Sequence, residues 1–166
     1  MTPIDRSPSR PSSVVAFGLA VVAATTSGLY SWVALVLGGC GVALVLAGIA
    51  RGSRSTISAG SATLFVGAVT AGTQGAPAGP ILVSVTATVL AWDAGTAALE
   101  VGAQLGREAP TARVELTHLA GSAGVGVFTA GFGYLVYATA TGGQPLSTLV
   151  VLVVATVVLL PTAYRA

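Results

Sequence analysis

A chain of 166 residues that is 54% hydrophobic and only 7% charged cannot clothe a water-facing globule of its size, since soluble domains carry roughly 25% charged residues. Its natural solvent is lipid, and its 22 glycines suit that reading because small residues let helices approach closely in a bilayer. The net charge of +2 comes from seven arginines spread along the chain, which excludes the clustered basic face of a nucleic-acid binder.

Lys and Asn are absent, which points to GC-rich coding. The lone cysteine, Cys40, excludes an internal disulfide and sits in an apolar run, where it reads as a small buried hydrophobe. One His and one Cys cannot assemble a metal cluster, there is no His-Glu-x-x-His pattern, and no cofactor is expected. Gly121-Ser122-Ala123-Gly124 resembles a serine-protease motif only superficially. His118 lies one turn before Ser122 on the same expected helix, not on the separate element a catalytic dyad uses. The chain is therefore not expected to be an enzyme.

In chain order, residues 1–13 are rich in Pro, Ser and Arg and read as a disordered tail on the cytoplasmic side. From Val14 to Ala50 the chain is almost wholly apolar, too long for one span of about 20 residues and suited to two short ones. Their break falls near Thr26-Ser27-Gly28, with Tyr30 and Trp32 at headgroup level. A rival reading makes the first run a cleaved signal peptide with Val22 and Ala24 at its cleavage site. Arg51-Gly52-Ser53-Arg54 ends the second span, and a third closes in the uncharged loop Thr73 to Gly79. Pro80 opens a fourth helix, where its missing N–H does no harm. Thr111 is the expected N-cap of the fifth, with Glu115 in its first turn, and Pro145 opens the sixth. The expectation is an all-α, polytopic bundle of about six transmembrane helices, forming one domain over 14–166. The expected spans are about 14–28, 31–50, 56–72, 80–105, 112–138 and 145–163. Continuous rather than alternating apolar runs disfavour a β-barrel.

The arginines test this division. With the N-terminus inside, Arg6, Arg10, Arg51, Arg54, Arg107, Arg113 and Arg165 all fall on the cytoplasmic side, and the three opposite loops carry no charge. Positive residues resist translocation and accumulate there, so both ends are placed on the cytoplasmic side of the cell membrane.

The fourth helix carries most of the polar information. Asp93, Glu100 and Arg107 are spaced by sevens, with Ala97 and Gln104 between them on one face. Counted from Pro80 at 1.5 Å per residue, Asp93 lies roughly 20 Å deep, where a carboxylate needs a partner, a proton or a water-filled cavity. Beside that stripe, Ala94, Ala98, Gly102 and Gly106 form a ridge of small residues, which makes this helix central. The sixth, nearly all Val and Leu, is peripheral. The fifth helix returns antiparallel, and a turn centred at Pro110 sets Glu100 level with Ala120 and Asp93 level with Val127. Glu115, His118 and Ser122 share one of its faces. If that face meets the stripe, the two form a polar seam of Asp93, Glu100, Gln104, Arg107, Glu115, His118 and Ser122. Such a seam can be a register device held by hydrogen bonds of roughly 0.6 kcal/mol each. The alternatives are a proton or ion pathway through Asp93, or a pocket for a lipid headgroup or small ligand. Histidine's ordinary titration at about pH 6.5 would permit His118 to sense pH. Trp92 lies too deep for an aromatic belt and reads as a packing residue.

Ala91-Trp92-Asp93-Ala94-Gly95, Gln104-Leu105-Gly106-Arg107-Glu108-Ala109-Pro110-Thr111 and Arg113-Val114-Glu115-Leu116-Thr117-His118 resemble an uncharacterised family of small multi-pass membrane proteins of halophilic archaea. The resemblance covers about 30 residues. It implies an accessory role beside a MoxR-type AAA+ ATPase and its partner proteins in an envelope-associated assembly, and it assigns no activity or functional residue. Two readings remain. One is a non-enzymatic accessory or scaffolding subunit that meets the lipid bilayer and other membrane subunits. The other is a small transporter or channel working through Asp93 and Glu100. For the topology itself, membrane-impermeant labelling should reach the Arg51–Arg54 turn and the Arg107–Arg113 turn from the same side. Labelling from opposite sides would collapse the span count.

Overall fold

Short hydroxylated and glycine-containing breaks interrupt the apolar runs, and each break becomes a helix boundary. A computed structural model describes residues 7–105 and 112–139. Those residues form α1 (Arg10–Gly28), α2 (Trp32–Arg51), α3 (Arg54–Thr73), α4 (Ala78–Leu105) and α5 (Ala112–Thr139), with no strand among them. Ser31 caps α2 by accepting the Ala34 N–H at 3.1 Å, and Ser53 caps α3 by accepting that of Thr56 at 3.4 Å. Each cap satisfies a donor that the start of a helix leaves without an intrahelical partner. Gly52, at φ 63°, closes α2 in the left-handed conformation that glycine adopts without Cβ strain.

Several boundaries differ from expectation. The tail was expected to run to Ser13, but α1 begins at Arg10, because Pro11 in its first turn is already set for a helix. Similarly, α4 begins at Ala78, two residues before Pro80. Residues 1–6, the link with Arg107 and Thr111, and the sixth span at 145–163 lie outside the described residues. Against six expected spans, five helices are described, and four of them, α1, α2, α4 and α5, are long and apolar enough to cross a membrane. α3 misses that set because of its hydroxyls. Even so, Thr63 and Thr70 donate back to the Ala59 and Val66 carbonyls, at 2.9 and 2.8 Å, and Phe65, Val66 and Val69 lie exposed beside them.

By backbone contacts the chain divides into Met1–Tyr134 and Leu135–Ala166, and of the second unit only the end of α5 is described. Within the first unit, consecutive helices run antiparallel. Ser9 N–H bonds the Ala98 carbonyl at 3.0 Å while Ser84 Oγ bonds that of Ala23 at 2.8 Å, which lays α1 against α4 in opposite directions. The same alternation pairs α2 with α3 through Gly48–Ile57 and Gly67–Ala34, and α3 with α4 through Ile57–Gly95 and Gly72–Ile81. Each of α1, α2, α3 and α4 touches the other three, so the expected central place of the fourth helix does not appear in this packing.

The interior of this unit is built of small residues. Ala16, Ala20, Ala23, Ala34, Ala68, Ala91, Ala94 and Ala98 are wholly buried, joined by Ser12 and Ser84; Ile57, Leu64 and Val45 are the largest buried side chains. Large apolar residues such as Val14, Leu35, Val36, Val89 and Phe65 point outward. Small inside and large outside inverts the order of a soluble core and suits helices packed in lipid. At the α2–α3 seam the backbones nearly touch. A Cβ at Gly60 would lie 2.8 Å from both the Gly41 carbonyl oxygen and the Val45 nitrogen, whereas one at Gly39 would meet nothing within 4 Å. Gly60→Ala should therefore cost about 1–3 kcal/mol in a reversible unfolding assay in detergent. Gly39→Ala should be neutral or stabilising by less than about 1 kcal/mol.

Candidate functional site

Two acidic side chains on neighbouring helices find partners that sequence spacing did not assign them. Ser9 precedes α1 in an extended conformation but makes no side-chain bond to its own helix. Its hydroxyl instead donates to Glu115 Oε2 at 2.7 Å, and the same oxygen accepts the Ser12 hydroxyl at 2.5 Å and the Ser12 N–H at 3.3 Å. Glu115, 3% exposed, thus caps α1 from another helix. A carboxylate is favoured there by the unpaired amides and positive dipole end of α1.

That clasp sets the register of α5. Ser9 is level with Ala98 on α4, so Glu115 falls beside the same level and the rest of α5 follows. Asp93 consequently meets His118, not Val127, with His118 Nε2 3.2 Å from Asp93 Oδ2. The pair is at ion-pair distance, yet the N–H is not aimed for a hydrogen bond, and Oδ2 is buried without a hydrogen-bond partner. The misaligned N–H leaves the oxygen unsatisfied despite the short distance. The Asp93 side chain is 31% exposed, so its remaining atoms face outward.

Asp93 borders two hollows. One, of about 500 Å³, is an apolar groove between α4 and α5, lined on α4 by Val85, Val89, Leu90 and Trp92 and on α5 by Ser122, Val125 and Thr129. The other, of about 330 Å³, reaches α1 at Val15 and Leu19. Trp92 Nε1 donates to Ser58 Oγ on α3 at 3.0 Å, which holds the indole beside the groove.

The expected seam therefore separates into three sites. Asp93, His118 and Ser122 come together; Glu115 joins Ser9 and Ser12; Glu100 turns to α3, where Arg54 Nη1 lies 2.7 Å from its Oε1. The Arg54–Glu100 pair is more than half exposed and contributes little to stability in water. Gln104 is exposed, and Arg107 lies outside the described residues. Sequence reasoning missed Ser9, Ser12, Arg54 and Ser58. Only the first two carried a signal, since Ser-x-Pro-Ser ahead of an apolar run marks a helix start.

Described residues that are all helical, with small side chains inside, long apolar helices and a few polar side chains between them, define a membrane-type helical protein. The chain belongs to DUF7519, a family of unknown function, whose profile matches residues 6–160. Among curated proteins none matches it, and no solved structure does either. Glu115→Ala removes the acceptor of three donors, all of them on the buried Ser9 and Ser12, and should cost about 1–3 kcal/mol with earlier proteolysis near Arg10. Glu115→Gln, which keeps an acceptor oxygen, should recover part of that loss.

Proposed function

We propose that this chain is an integral multi-pass protein of the cell membrane that serves as a non-enzymatic accessory or scaffolding subunit of a larger membrane assembly. The observation that carries the membrane reading is the outward display of Val, Leu and Phe over an interior of Ala, Gly and Ser. Apolar exterior on this scale is stable against lipid and against other membrane helices. Arg10, Arg51 and Arg54 gather at one end of the described helices, as antiparallel alternation requires, which supports a cytoplasmic placement of that end. The described links between α1 and α4 span only residues 29–31, 52–53 and 74–77, so the helices themselves must present the binding surfaces. The resemblance of the Ala91–His118 stretch supports a halophilic archaeal setting and an AAA+ ATPase-associated assembly.

A second reading has its own observation. Asp93 and His118 form a protonatable pair within the span, bordered by two hollows, which suits a proton or ion pathway. Glu100 is drawn aside to Arg54, so such a pathway would pass through Asp93 and His118 instead. Two measurements separate the readings. The tagged full chain, cross-linked in native membranes, should co-purify with defined partners, and Asp93→Asn should leave that association intact. Ion or proton flux in proteoliposomes that disappears in a folded Asp93→Asn variant would reject the scaffold reading in favour of the pathway.

A further inference from the structure

Among the described residues the groove between α4 and α5 has one charged lining residue, Asp93, and its chemistry selects an occupant. It runs from Val85 to Asp93 along α4, about 12 Å of helix. Its volume of about 500 Å³ is within the range of small-molecule sites. The walls are chiefly valine, leucine and an indole, with the hydroxyls of Thr86, Ser122 and Thr129 and the Asp93 carboxylate as the polar atoms. A hard metal ion takes six or more oxygen ligands and must shed its water to reach them, which one carboxylate and scattered hydroxyls do not offset. An anion is repelled, and a neutral lipid leaves the carboxylate unmatched. A bulky organic cation is weakly hydrated, enters an apolar groove readily and supplies the missing charge.

We propose that this groove binds a hydrophobic organic monocation, with its charge against Asp93 and its apolar body along Val85, Val89 and Val125. The site rests on the chain residing in the bilayer and deepens the second reading above, though binding does not require transport. Trp92, anchored by Ser58, adds an aromatic wall of the kind that attracts cations.

His118 is the natural competitor. It is the titratable group that α5 sets against Asp93, while α1 brings Val15 and Leu19, and α3 brings Ile57 and Ser58 to this level. Neither Cys40 nor Arg51, the titratable side chains of α2 among the described residues, lines the groove. On α4 itself Glu100 is held by Arg54, and on α5 Glu115 is held by Ser9 and Ser12.

The test uses the full chain in phosphatidylcholine nanodiscs, titrated with tetraphenylphosphonium and, as an anion of the same shape, tetraphenylborate. Tetraphenylphosphonium should bind saturably at one site per chain, and Asp93→Asn should lower its affinity roughly tenfold or more. Equal affinity in a folded Asp93→Asn variant, or equal saturable binding of tetraphenylborate, overturns the proposal. Should Asp93→Asn not fold, Val125→Trp fills the groove from a position already 68% exposed and leaves the carboxylate in place. It should abolish binding, and unchanged binding in it overturns the proposal. Saturable, Asp93-dependent binding without proton flux in proteoliposomes upholds the site and removes the pathway. Flux without such binding does the reverse.

Discussion

In a lipid environment, burying a leucine against another helix gains nothing that the acyl chains do not already provide. Cohesion must come from close approach of backbones and from the few polar groups that would otherwise stand unsatisfied in hydrocarbon. The rest of this fold follows from that constraint. Gly41, Gly48 and Gly60 let α2 and α3 come within van der Waals contact of each other's main chain, and the alanines of α1 and α4 do the same at the centre. Valine, leucine and phenylalanine, with no role inside, are left to face outward.

Polar bonds then decide register, which small residues alone leave free to slide. Glu115 is the clearest case, because its carboxylate satisfies both the side chains and a main-chain amide at the start of α1. Fixing α5 there carries His118 to Asp93 and opens the groove beyond. Ser84 on Ala23 and Trp92 on Ser58 pin α4 to α1 and α3 in the same manner. Each bond is modest in energy, but each excludes the neighbouring registers, which would strand the same group in an apolar setting.

Membership of a family of unknown function leaves the chemistry to be argued from the residues. Of the acids described on α4 and α5, Glu100 and Glu115 are committed to partners that account for them structurally. Asp93 differs from both. One of its oxygens is buried and unsatisfied beside a histidine, and the side chain borders space large enough to hold a molecule. A charge retained in such a place is where function is to be sought in a membrane helix.

Composition and spacing by themselves determined that the chain is helical and suited to lipid, where most helices begin and end, and that Asp93 lies in mid-helix. These are properties of local sequence: an apolar run needs a certain length to span, serine caps, glycine and proline punctuate, and charge avoids hydrocarbon. The partners of each acid were decided only by tertiary structure. Ser9 and Glu115 stand 106 positions apart, and no periodicity within one helix says which turn of another will lie beside it. A turn centred at Pro110 was a reasonable measure of register along the chain, but buried hydrogen bonds to α1 overrode it, because a carboxylate left unpaired there costs more than sliding one helix along another.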